Sequence, residues 1–231
     1  MHRLTLRQRL GRKALVATLL FFASPMAGFA QTPAERLFKA AGAGDELELT
    51  ALLKQGVDLN TRNAMKDPVL FTAVYAGHLK LVSLLLASGA DPRAVGADDW
   101  NALHYAGLAG REDIAGLLLA RGLAVNGRES AGLTPLALAA VRGHVNVMRL
   151  LLERRADVNA PDTGGNTPLL HAAMRSRLAA VRLLLERGAT VNTASSHGWT
   201  PLMTAAREGH AGVVEVLIQH GADATQVNRD R

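Results

Sequence analysis

Glycine returns at a fixed step of 33 residues through most of this chain, and that step limits the possible folds more than any other feature. Gly44, Gly77, Gly110, Gly143 and Gly209 keep it, with Ser176 in the one gap. A second series, Gly56, Gly89, Gly122, Gly188 and Gly221, runs parallel, with Arg155 as its exception. Apolar runs lie between the two series at matching phase: LTALL, LVSLLL, IAGLLL, VMRLLL, VRLLL and VVEVLI. A period of this length marks a solenoid of small supersecondary units.

Each element of the period has a physical reason. The first glycine falls where one short helix must turn tightly into the next, and glycine tolerates the left-handed conformation that ends a helix. The apolar run gives the second helix a face broad enough to bury against neighbours on both sides. The second glycine ends that helix, and Asn-, Asp-, Ser- and Gly-rich segments such as DVNAPDTGGN and TVNTASSHGW then supply a projecting turn. One such unit cannot cover its own apolar faces, so at least three must stack. At Arg155 a non-glycine residue would occupy the left-handed region, at a cost of about 1 kcal/mol.

Several short motifs carry the reading further. Thr134-Pro135-Leu136, Thr167-Pro168-Leu169 and Thr200-Pro201-Leu202 recur in phase, and Asn101-Ala102-Leu103-His104-Tyr105-Ala106 is a variant. Gly-His recurs at 77–78, 143–144 and 209–210, and Gly-Ala-Asp at 89–91 and 221–223. With these residues the chain resembles the ankyrin-repeat family over nearly all of 31–228. The expected fold is all-α, an ankyrin-repeat solenoid of helix-turn-helix units joined by projecting β-turn or hairpin loops. The frame gives six repeats at about 30–62, 63–95, 96–128, 129–161, 162–194 and 195–227, with a short tail at 229–231.

The resemblance implies that the Thr of the TPLH stretch caps the first helix and that its His ties neighbouring repeats. Here only His104 holds that His position, while Phe71, Ala137, Leu170 and Met203 hold it elsewhere. Pro68-Val69 and Asn101-Ala102 replace Thr-Pro in repeats two and three, which are therefore expected to be the least regular. Thr32-Pro33-Ala34-Glu35 reads as a capping box opening the first helix. Glu208, Glu215, Gln219 and His220 are expected to keep the last repeat soluble.

Residues 1–30 read differently, as a cleavable secretory signal peptide. A basic stretch ends at Lys13, an apolar run ALVATLLFFA follows, and Pro25 precedes small residues at Gly28 and Ala30. Ten apolar residues are too few to cross a bilayer, which takes about 20. Export to the periplasm of a Gram-negative bacterium is the expected destination, with secretion as the other. The leader also accounts for most of the net charge of +6: taking its five basic residues from 26 leaves 21 against 20 acidic ones. A nearly neutral mature surface argues against nucleic acid as a partner.

Catalytic chemistry is not encoded. The chain has no cysteine, which excludes disulfides and thiolate sites. No HExxH, GxSxG or phosphate-loop motif is present. His78, His144 and His210 recur at one repeat position and read as structural. His171, His197 and His220 show no metal-ligand spacing. No enzyme activity, cofactor or metal is expected.

The resemblance implies a binding surface made of the projecting turns and the first-helix faces. The frame assigns it Asp67, Trp100, Leu133, Asn166 and Trp199 before the TPL stretch, Tyr105, Leu138 and His171 on the first helices, and Tyr75, Arg142, Arg175 and Arg207 one turn on. All four Trp and Tyr residues of the chain fall in this set, and both types are enriched as interface anchors. The expected function is a non-catalytic, monomeric, periplasmic module that binds a partner protein through its concave face. The alternatives are a stabiliser, inhibitor or immunity-type partner of a periplasmic enzyme, and a secreted effector acting on host or competitor proteins.

Overall fold

A computed structural model describes residues 31–228, so the signal-peptide reading of 1–30 and the tail at 229–231 lie outside the described residues. The chain divides into two compact units, Met1–Asp91 and Pro92–Arg231. The described residues hold twelve α-helices, one 3-10 turn and no strands, with an isolated bridge between Arg62 and Pro68. None of these helices is long and apolar enough to cross a membrane.

The first unit contains two helix pairs, α1 (Pro33–Ala43) with α2 (Glu46–Lys54) and α3 (Val69–Ala76) with α4 (Leu79–Ala87). The capping box forms as the sequence suggests: Glu35 N–H donates to Thr32 Oγ1 at 3.2 Å and Thr32 N–H to Glu35 Oε2 at 2.8 Å. Pro68 opens α3 without a side-chain cap. Helix α1 packs on α3, and α2 on α4.

Four pairs make the second unit: α5 (Ala102–Ala109) with α6 (Glu112–Ala120), α7 (Pro135–Arg142) with α8 (Val145–Glu153), α9 (Pro168–Met174) with α10 (Leu178–Glu186), and α11 (Pro201–Arg207) with α12 (Ala211–Gln219). Buried Thr134, Thr167 and Thr200 cap α7, α9 and α11, each accepting from the N–H three residues on, and proline follows at the first helical position. Repeat three, expected with repeat two to be among the least regular, is nonetheless fully capped at its first helix. Asn101 accepts from both Leu103 N–H and His104 N–H, and His104 Nδ1 accepts from Asn101 N–H. Its irregularity lies instead in the preceding turn, where Asp98 and Asp99 both take positive φ.

Side-chain size sets the spacing of the first helices. Helix α7 buries Leu136 to Val141 almost completely, with Ala139 and Ala140 together, and Ala172–Ala173 of α9 do the same. Such small residues let α5, α7, α9 and α11 pack in sequence, each against the next. Leu, Ala and Val dominate the core, as the scarcity of aromatics requires.

Two polar ties recur between repeats. In the first, a side chain reaches a helix-end carbonyl 36 residues back: His78 Nε2 to Gly42, His144 Nε2 to Leu108 and His210 Nε2 to Met174, at 3.0 to 3.2 Å. Arg177 makes the same bond to Val141 with its Nε at 3.2 Å, in the repeat where Ser176 replaces glycine. Burial holds His144 below its ordinary pKa, opposed by the Leu108 bond and aided by the nearby Arg142, Arg177 and Arg111, so a neutral ring donates its Nε2–H. Gly110 serves as the seat: a Cβ there would come within 2.7 Å of the His144 ring.

The second tie is an asparagine ladder on the turn side. Asn126, Asn159 and Asn192 accept with Oδ1 from the N–H of Asp157, Thr190 and Asp223, at 2.8 to 2.9 Å. Their Nδ2 groups donate to the carbonyls of Arg155, Gly188 and Gly221. Replacing Asn159 by Ala removes two of these bonds, and a loss of about 1–2 kcal/mol is expected in urea denaturation. Arg155 does stand in the left-handed region, at φ 66°. Arg155→Gly is therefore expected to raise stability by about 1 kcal/mol, read as a higher midpoint in thermal or urea unfolding.

Candidate functional site

In four repeats the projecting turn is built on one side-chain acceptor, while repeat three has Gly96 at that position. Asn63, Glu129, Asp162 and Ser195 occupy the same frame position, and each side-chain oxygen accepts from backbone N–H groups ahead of it. Asp162 Oδ1 takes Gly164 and Asn166, both at 2.8 Å; Glu129 Oε1 takes Ala131 and Leu133; Asn63 Oδ1 takes Met65 and Asp67; Ser195 Oγ takes Trp199. The residue four places on closes each turn by accepting from the same starting N–H, so Asp67, Leu133, Asn166 and Trp199 end the tips of these repeats. This acceptor series was legible as a polar residue at the 33-residue step ahead of each tip glycine, but sequence reasoning passed over it.

Within the second unit the tips are bonded to one another. Ser130 N–H donates to Asp98 O, Thr163 N–H to Ala131 O and Ser196 N–H to Gly164 O, each at 2.9 Å. Gly165 makes this approach possible, since it takes φ 75° and a Cβ would meet Ser196 N at 2.8 Å. Four successive turns thus form a fixed edge on which Ser130, Thr163, Ser196 and His197 are exposed, and Ser196 Oγ adds a second bond to Gly164 O at 2.6 Å.

Six of the twelve residues assigned to the binding surface are buried, which corrects the expectation that they stand there. Trp100, 3% exposed, lies with its ring 5.1 Å from Tyr105 and 5.8 Å from His104. Tyr105, Leu133, Leu138 and Asp67 are likewise covered. His171 is buried too. Its Nε2 donates to Asp162 Oδ2 at 2.9 Å, tying the tip to α9, while its Nδ1 has no hydrogen-bond partner among the described residues.

The other six are accessible. Arg207 is exposed, and its guanidinium sits 5.0 Å over the half-buried ring of Trp199. Arg142, Arg175 and Asn166 are half-buried in the same unit, as is Tyr75 in the first. Arg142, Arg175 and Arg207 all stand at the C-terminal ends of first helices, where a cation also complements the helix dipole. None of the three is ion-paired with another described residue. No group of three metal-ligating side chains comes together among the described residues.

Ankyrin repeats (3 copies) is the family description that fits the sequence, over residues 37–129, 70–162, 117–195 and 159–228. The chain belongs to the ankyrin-repeat family. Its fold is the ankyrin-repeat solenoid, similar to the crystal structure of the ankyrin repeat domain of Bcl-3, a unique member of the IkappaB protein family. That similarity has a TM-score of 0.71 at 31% identity and covers 87% of this chain and 91% of the other. No curated protein matches the sequence. Ankyrin repeats are generally modules for protein–protein interaction, and the fold is typically non-catalytic.

The Asp162–His171 contact gives a test of how firmly a tip is held. Burial alone pushes the Asp162 carboxyl up, but hydrogen bonds from His171 and Asn166 outweigh it and hold the group below its ordinary value. A folded-state pKa below the unfolded one contributes stability at pH above the ordinary carboxylate range, and loses it as pH falls through that range. Asp162→Asn is expected to be less stable than the parent at pH 7, with the gap closing below about pH 4. Urea unfolding at several pH values checks this.

Proposed function

We propose that this ankyrin-repeat protein is exported to the periplasm and there binds an acidic surface of a folded partner protein. The observation that carries the reading is the set of Arg142, Arg175 and Arg207, accessible and without a carboxylate partner among the described residues, with Arg207 over the half-buried Trp199 ring. Arginine and tryptophan are the side chains that most often carry interface energy. The rigid edge of bonded turns supports the same reading, since a surface ordered before binding loses little entropy on association.

The periplasmic location is supported by the leader pattern in residues 1–30 and by the absence of cysteine, which makes the fold indifferent to an oxidising compartment. Export of a leader-bearing chain, with the N-terminus of the processed protein read by mass spectrometry, tests that part. For binding, Arg175→Glu and Trp199→Ala are each expected to weaken capture of the periplasmic partner at least about tenfold, with unchanged helical circular dichroism. Affinity is also expected to fall as salt is raised. Retained affinity in both variants would place the contact elsewhere.

A further inference from the structure

Charge is sorted along the helix pairs of repeats four and five. Residues 134–152 and 163–185 contain Arg142, Arg149, Arg175, Arg177 and Arg182 and no acid. The acids of these repeats, Glu153, Asp157, Asp162 and Glu186, stand in the turns or at the last residues of α8 and α10. Helix α8, about 12 Å long, separates Glu153 from the edge where α7 gives way to α8. That edge is left cationic. Repeat three differs, since Glu112 and Asp113 directly follow Arg111 there.

At this edge two arginines share one glycine. Arg142 is the last residue of α7 and directly precedes Gly143. Arg177, from the next repeat, lies across the same glycine: its Cδ and Cγ would stand 2.9 and 3.3 Å from a Cβ built there. Its Nε is used in the bond to Val141 O, while its terminal amino groups, on an exposed side chain, form no ion pair with a described residue. Histidine makes the equivalent tie at 78, 144 and 210, so those amino groups are surplus to it. Arg142 is half-buried, and its covered Nε meets no acceptor among the described residues, so nothing in the repeat offsets the desolvation of this cation. The His144 ring follows Gly143. It bonds Leu108 O through Nε2 and keeps Nδ1 as an acceptor.

We infer that Arg142, Arg177 and His144 form a binding site for a phosphate group. Gathering like charges is unfavourable, and a bound anion reverses the sign of that interaction. Two guanidinium groups offer forked donors to several oxygens at once, which suits a doubly charged phosphate better than a lone carboxylate. Arginine meets such oxygens in a fixed plane where lysine acts as a point charge, and no lysine occurs after Lys80. The first turn of α8 contains no acid and takes no side-chain cap, so its positive end adds to the attraction. This site goes beyond the partner surface proposed above: it shares Arg142 with that surface but takes a small anion, with or without a partner protein.

Calorimetric titration with inorganic phosphate, at about 0.15 M sodium chloride, is expected to show one saturable site with a dissociation constant below about 1 mM. Arg177→His keeps the tie to Val141 O in the form that His144 and His210 use, and Arg142→Gln leaves the backbone unchanged. Each is expected to weaken phosphate at least about tenfold with unchanged circular dichroism. Arg154→Gln removes an equal charge at the far end of α8 and is expected to stay within about twofold of the parent, because salt screens charges beyond about 8 Å. In proton NMR, saturating phosphate is expected to raise the titration midpoint of His144, since a nearby anion favours the imidazolium form, and Arg177→His removes that rise. Methyl phosphate separates the two sources of the group: affinity equal to that of phosphate assigns the site to phosphate esters, and loss of binding assigns it to the free ion. No saturable binding below about 10 mM overturns the proposal, as does an Arg154→Gln loss as large as that of Arg177→His. Trp199→Ala, which disables partner capture, leaves phosphate binding unchanged, so the two proposals fail separately.

Discussion

A helix end leaves carbonyl groups without partners, and a repeat protein meets that problem once per repeat. Here the open carbonyl near the end of a first helix is answered by a side chain one repeat later: His78 for Gly42, His144 for Leu108, Arg177 for Val141, His210 for Met174. The apolar faces supply most of the cohesion, but they are non-directional and tolerate sliding. The bond to one carbonyl does not. It fixes the register in which Ala139, Ala140, Ala172 and Ala173 can meet closely, and that spacing in turn brings the turn tips within hydrogen-bonding distance.

The 33-residue step, the helix pairs, the Thr-Pro caps and the left-handed Arg155 were all legible in the sequence, because each depends on local chemistry repeated in phase. The structural role of Gly-His was legible as recurrence alone; its partner carbonyl was not, since nothing in a sequence says which backbone oxygen lies beside a ring. The same holds for Asn126, Asn159 and Asn192, which read simply as turn residues but bridge two repeats.

The candidate surface was legible only in part, for a physical reason. Frame position tells which residue closes a turn or starts a helix, but exposure there depends on the size of the neighbours. Trp100 and Trp199 hold the same frame position. Trp100 is covered beside Tyr105 and His104, whereas the repeat of Trp199 has the smaller Thr204 at the Tyr105 position, and Trp199 stays accessible beneath Arg207. Asp162, whose two oxygens organise a whole tip and hold His171, was missed because an aspartate in a turn is commonplace.

The asparagine ladder repeats by pure translation: each rung gives and receives the same bonds as the next, at the same chain spacing. Loss or duplication of one whole repeat inside the ladder would leave every remaining donor opposite an equivalent acceptor. An insertion of any other length would strand a rung. Array length is thereby quantised, so descent by unequal recombination can lengthen or shorten such a surface while leaving the bonding pattern intact.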